Sequence, residues 1–183
     1  MDFAQKMAAS GADNSVAERF NKAIEQALPF SQKWEKFVPD AYWDNVGKVW
    51  TVGHGLTQIP DAQTGKLRAV RKGDKLTKDQ SSKIMGRRFR ENAYKMYMRI
   101  PWMRNLSQKS LAAALDTAYN AGWGIFSKSK SPSLNKKMLA PGANPDDVYW
   151  SEHDTYTRSG TKSKVPGLVN RRADARKKWG PSK

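Results

Sequence analysis

Apolar positions change their period along this chain, from helical to alternating and back to helical. Val16, Phe20, Ala23, Ile24, Ala27 and Leu28 recur every three or four residues, as one face of a helix does. Ser15 with Glu18 reads as a capping box opening that helix, and Pro29 reads as its stop. Residues 1–13 are small and polar and read as loosely attached. A shorter helical pattern, led by Pro29 and Ser31, carries Phe30 and Trp34 and closes at Glu35. The period then drops to two. Tyr42-Trp43-Asp44 runs into a turn at Asn45-Val46-Gly47, and Val49-Trp50-Thr51-Val52 reads as the returning strand, broken by Gly53 and Gly55. A loop from Gln58 to Gly65 follows, in which Asp61 beside Pro60 reads as a turn residue.

Helical spacing returns at Thr77. Thr77 with Gln80 reads as a second capping box, opening a long helix through Ile84, Met85, Phe89 and Tyr94 toward Met98, with Pro101 as its end. Arg87, Arg88 and Arg90 fall on its solvent side, and Met96, Met98 and Met103 read as core filler. From Ser107 to Gly122 the chain is at its most apolar, with Leu111, Ala114, Leu115, Ala118 and Tyr119 on one side and Gly122 as a C-terminal cap. Ser131-Pro132 and Asn144-Pro145 each read as a helix start. A Gly/Ser/Lys/Thr loop spans Arg158 to Lys164, and Pro166 opens the last helix.

Length allows one domain or one domain with two lobes, since 183 residues suffice for a substantial core. No apolar run reaches membrane-spanning length, and MDFAQKMAAS lacks a signal-peptide hydrophobic region, so a soluble product is expected. The absence of cysteine removes disulfides, thiol catalysis and thiolate metal sites, and two histidines do not suffice for a His-rich metal site. No cofactor or metal is expected. A net charge of +16 changes the picture more, because it calls for a polyanionic partner: nucleic acid, an anionic lipid surface or a cell wall. Lys66, Arg68, Arg71, Lys72, Lys75 and Lys78 surround the single acid Asp74 and read as an anion-binding rim.

Glu35 and Asp44 supply the candidate chemistry. An acid at a helix end and another at a hairpin suit glycoside hydrolysis, in which one carboxyl group protonates the leaving oxygen while the other activates water or attacks. Pairs of this kind are common, so their spacing alone does not separate catalysis from a cap and a turn.

The longer string does. Glu35, eight residues, Asp44, then Thr51-Val52-Gly53-x-Gly55 resembles the active-site pattern of the phage-type lysozymes, the T4-lysozyme-like glycoside hydrolase family (family 24). Leu115-Asp116-Thr117-Ala118-Tyr119-Asn120-Ala121-Gly122, followed by Phe126, is similar to that family's central helix, and Pro166-Gly167-Leu168-Val169-Asn170-Arg171-Arg172 to its C-terminal helix. There are two departures. Six residues rather than five separate Asp44 from Thr51, which asks for a bulge or a longer turn, and Leu56 stands where many relatives carry His, with His54 inside the Gly-x-Gly.

The resemblance implies an α+β, lysozyme-like, mostly helical fold, with a small N-terminal β-hairpin lobe joined by a long helix to a helical C-terminal lobe. Its boundaries would be an extension over 1–29 with one amphipathic helix, a catalytic domain over 30–179 (β lobe 30–76, linking helix 77–100, helical lobe 101–179) and a tail over 180–183. It further implies a muramidase cutting the β-1,4 bond between N-acetylmuramic acid and N-acetylglucosamine of bacterial peptidoglycan. Glu35, Asp44 and Thr51 would be catalytic, and His54, Thr57, Tyr119, Asn120 and Ser133 would bind substrate. The expected partners are peptidoglycan and the anionic cell envelope, met by a monomer with no requirement for nucleic acid. A phage endolysin of this kind would collect in the host cytoplasm and reach the wall through a holin-type pore, or else travel with the virion. Two alternatives stay open: a cationic nucleic-acid-binding protein without catalysis, and a lytic transglycosylase on the same fold.

Overall fold

The long N-terminal helix does not stop at its proline. In the computed structural model, which describes residues 3–45, 47–155 and 165–181, α2 spans Asn14–Glu35 with Pro29 inside it. A proline there deletes a backbone donor and costs about 3 kcal/mol. Its ring faces solvent, whereas Phe20, Ala23, Ile24, Ala27 and Phe30 are buried on the other side of the helix. Each large side chain in that stripe is worth roughly 1.5–3 kcal/mol, so burial carries the helix through. The cap also differs from expectation. Asp13 rather than Ser15 opens the helix, its Oδ1 accepting from the Val16 amide at 2.9 Å and the Ser15 hydroxyl at 2.6 Å.

Nor is the N-terminal segment loose. A helix α1, Phe3–Ala9, buries Phe3 and Met7, and Ser10 Oγ lies 2.9 Å from the Tyr94 hydroxyl. Two apolar residues four apart were enough for a short helix once there was a surface to cover. The loop read over Arg158 to Lys164, and Val46 of the hairpin turn, lie outside the described residues.

The chain divides into two compact units, one of residues 1–27 with 89–183 and the other of residues 28–88. In the second, β1 (Val38–Asp44) pairs antiparallel with β2 (Val49–Gly53), and β3 (Gln58–Pro60) with β4 (Leu67–Ala69). Val52, Leu56, Ile59 and Val70 form its core, with Ala41, Trp50, Leu76 and Ile84 against them. The unit ends in the first turns of α3 (Lys78–Arg99), opened by the expected capping box. Thr77 N–H donates to Gln80 Oε1 at 2.8 Å, and Gln80 N–H to Thr77 Oγ1 at 3.2 Å.

The first unit is built around α4, Gln108–Ala121, in which every residue from Ser110 to Ala118 is buried. Its alanines let neighbours approach on all sides, so this helix is enclosed rather than one-sided. Around it come a 3-10 turn over Pro101–Asn105 and the helices α5 (Pro132–Met138), α6 (Pro145–Glu152) and α7 (Pro166–Trp179). A buried ion cluster joins two of these helices. Asp116, fully buried, accepts from Arg171 Nη2 and Arg172 Nη1, each at 2.7 Å, tying α4 to α7. Met96 and Met103 are core residues as expected, but Met98 is 44% exposed, on the side of α3 opposite its buried neighbours Met96 and Ile100.

Candidate active site

Glu35 is the last residue of α2, and Lys36 turns the chain toward β1 in the left-handed region, φ 49°. Within the hairpin, Asp44 pairs with Val49, Trp43 with Trp50 and Tyr42 with Thr51. Side chains alternate along a strand and paired residues share a face. Tyr42, Asp44, Val49 and Thr51 therefore project from one face, while Trp43 and Trp50 share the other, their rings 5.8 Å apart. Pairing is regular from Asp44↔Val49 to Tyr42↔Thr51, so the extra residue before Thr51 falls between Asp44 and Val49, where Lys48 adopts φ 51°. The break in strand pairing lies elsewhere, between Val38 and Tyr42. A longer turn, not a bulge after Asp44, thus keeps Thr51 on the acid's face.

Two glycines fit these acids closely. A Cβ on Gly47 would lie 2.8 Å from Asp44 Oδ2, and one on Gly55, which holds φ +70°, would lie 2.7 Å from Glu35 Oε2. The first glycine of the Gly-x-Gly turn has a different neighbour. A Cβ on Gly53 would run into the side chain of Ser81. Ser81 Oγ in turn accepts the His54 amide at 2.9 Å and sits 2.8 Å from His54 Nδ1. One hydroxyl of α3 pins the turn that lies against Glu35.

Each expected site residue has a definite place. Glu35 and Asp44 are half-buried, and Thr51 is buried with its Oγ1 3.5 Å from Val49 O. Thr57 is half-buried and its carbonyl accepts from Val70 N–H at 3.0 Å. These four and His54 belong to the unit of residues 28–88. His54, expected to bind substrate, is 2% exposed, its Nδ1 meets Ser81, and its ring lies 5.4 Å from Phe37. Burial, and then the Lys78 charge, push its pKa down, so it serves the turn as a neutral ring. Leu56, where relatives carry His, is a core residue with no exposed surface. In the other unit, Tyr119 stacks on Phe89 at 5.1 Å, Asn120 is exposed and accepts from Arg172 Nη2 at 3.3 Å, and Ser133 is exposed on α5.

Tyr42 and Ser81 were missed. Tyr42 lies two residues before Asp44, so alternation alone would have put it on the acid's face once that strand was read as regular. Its phenol pKa is pushed up by burial, then by the negative charges of Asp44 and Glu35, so both carboxylates act on this one side chain. Ser81 gave no local signal, being 27 residues from its partner. Of the six cations read as a rim, Arg68 grips Asp74 through two 2.7 Å bonds and Lys75 pairs with Asp40 at 2.9 Å. Asp61 is the turn residue expected, its Oδ1 accepting from the Gln63 and Thr64 amides.

A small hairpin unit bearing two carboxylates, with a second unit wrapped around a buried helix, defines a lysozyme-like protein of the α+β class. The model of the phage lysozyme family matches residues 32–175, and the chain belongs to that family. Its members are peptidoglycan hydrolases of the glycoside hydrolase type, and that is the broad activity of this chain. Three solved structures share the fold. The active form of the P1 phage endolysin Lyz has TM-score 0.62 and 18% identity, over 82% of this chain and 80% of that one. The endolysin from Escherichia coli O157:H7 phage FAHEc1 has 0.56 and 20%, over 82% and 89%. The muramidase domain of SpmX from Asticaccaulis excentricus has 0.53 and 14%, over 85% and 95%. A comparison with curated proteins gave no match. Among the described residues no helix is long and apolar enough to cross a membrane, and no three His, Asp or Glu side chains group as metal ligands.

Proposed function

We propose that this chain is a muramidase that cuts the β-1,4 bond between N-acetylmuramic acid and N-acetylglucosamine, and that it acts as a phage endolysin in host lysis. One observation carries the reading: the Gly-x-Gly turn that follows β2 brings Gly55 against Glu35 Oε2, while Thr51 of β2 shares a face with Asp44. Two acids bordering one surface are what glycosidic cleavage requires. Glu35 would give its proton to the glycosidic oxygen as the C–O bond breaks. Asp44 would meet the positive charge left on the sugar, or take a proton from the attacking water. Thr51, on the same face, would help hold that water. The FAHEc1 and P1 neighbours are endolysins by name, which supports the lysis role. Reaching the wall from the host cytoplasm would then depend on a pore made by another protein.

Turbidity of outer-membrane-stripped Gram-negative cells tests this. Wild type should clear them while Glu35→Gln, equally folded, does not, and each cut should yield a reducing sugar end. Clearing by both proteins would move the activity off Glu35. Anhydro-muramic ends would make the enzyme a transglycosylase, and DNA binding without clearing would make it a cationic binding protein.

A further inference from the structure

Tyr42 stands out among the described tyrosines because it is exposed, at 42%. The others are held. Tyr94 meets Ser10, Tyr97 lies under the Arg104 guanidinium at 4.5 Å, Tyr119 stacks on Phe89, and Tyr149 is fully buried. An aromatic ring left in water forgoes the burial that usually justifies it. This one also sits where chemistry is expected. The strand register puts it directly opposite Thr51 and two residues from Asp44 on the same face. Its hydroxyl bonds to nothing among the described residues. A phenol is protonated at neutral pH, and partial burial followed by the Asp44 and Glu35 charges raises its pKa further, so it offers a neutral donor beside two carboxyl groups.

We propose that Tyr42 is a glycan-binding residue of this site, its ring lying against the sugar next to the scissile bond and its hydroxyl donating to an oxygen of that sugar. The argument rests on the muramidase reading of Glu35 and Asp44 and names a contact that reading does not contain. A flat apolar face with a donor at its edge suits a pyranose, which has an apolar C–H face and hydroxyl or acetamido oxygens at its rim. Trp43 supplies an internal comparison. It is equally exposed, at 47%, but projects from the opposite face.

Binding and catalysis are to be measured separately. In a Glu35→Gln background, which leaves the glycan uncut, a soluble oligomer of alternating N-acetylmuramic acid and N-acetylglucosamine is titrated against Tyr42, Tyr42→Phe, Tyr42→Ala and Trp43→Ala proteins. Loss of one hydrogen bond should weaken binding about fivefold in Tyr42→Phe, and loss of the ring should weaken it further in Tyr42→Ala. Trp43→Ala should bind like the parent. With Glu35 restored, Tyr42→Phe should raise KM by the same factor at unchanged kcat and unchanged melting temperature. Binding by both Tyr42 variants that matches the parent would overturn the proposal. So would losses that follow a falling melting temperature, or that Trp43→Ala reproduces. Failure of the muramidase reading looks different: Glu35→Gln would still clear cells, or the parent would not bind the oligomer at all.

Discussion

A methyl group on Gly55 would sit 2.7 Å from Glu35 Oε2 and 3.4 Å from its carboxyl carbon, at a residue whose φ is +70°. Gly65 holds a similar φ, +66°, with nothing within 4 Å of the same position. The two glycines separate backbone strain from displacement of the acid. Alanine at either should cost about 1–2 kcal/mol for entering the left-handed region. Only Gly55→Ala must also push the carboxyl aside, and a shift near 1 Å in a reacting group costs on the order of a hundredfold in rate. Gly55→Ala is expected to be nearly inactive and Gly65→Ala active, with similar losses of melting temperature. Equal activity in the two would mean that Glu35 tolerates movement and that the glycine serves the turn alone.

At the scale of elements, the tie between α4 and α7 has no apolar substitute in place. Removing Asp116 leaves two guanidinium groups buried without their shared carboxylate, and breaking such a cluster from one side costs about 3–5 kcal/mol. Asp116→Ala should lower the melting temperature steeply, while exposed Asp79→Ala, which removes only a surface pair with Lys83, should hardly change it. The 3-10 turn after α6 carries a pH-dependent element. His153 is fully buried, and burial first, then the Arg172 and Arg176 charges, hold its pKa down at about 4 against the Asp154 contact. A depressed His value means that the fold favours the neutral ring. The stability this gives is complete above the ordinary value of 6.5 and is lost as pH falls from 6.5 toward about 4, up to roughly 3 kcal/mol in all. Melting temperature should drop across that window, and His153→Gln should flatten the drop. What the sequence disclosed about these elements follows contact range. The Thr77–Gln80 box and the Asn144 cap join residues two or three apart and could be read directly. Burial of Phe3 and Met7, continuation through Pro29, and the reach of Asp116 to Arg171 and Arg172 depend on surfaces far away in the chain. The site divides in the same way: Glu35, Asp44 and Thr51 are proposed from the resemblance of their string to a family pattern, whereas Tyr42 joins them only through the strand register and Ser81 only through the fold.

Charge is a property of the whole molecule. Residues 28–88 hold 12 Lys and Arg against 6 Asp and Glu, and the other residues hold 21 against 11, so the excess of +16 is not confined to the C-terminal helix. A surface positive on both units draws the protein to an anionic polymer from many orientations without contributing to bond cleavage. Attraction of this kind is screened, with a reach of about 10 Å at 0.1 M salt and about 3 Å at 1 M. Clearing of whole walls should therefore slow steeply as salt rises from about 0.1 M to about 1 M. Hydrolysis of a short soluble oligomer of alternating N-acetylmuramic acid and N-acetylglucosamine, which carries few charges, should change far less, because on the proposed mechanism the two acids and Tyr42 would meet it over distances too short to screen. Retention of Glu35→Gln on sedimented walls should fall along the same salt curve as clearing. If cleavage of the soluble oligomer fell in parallel, the basic surface would be acting on the chemistry itself, and the separation between a charged exterior for encounter and a hairpin face for reaction would have to be abandoned.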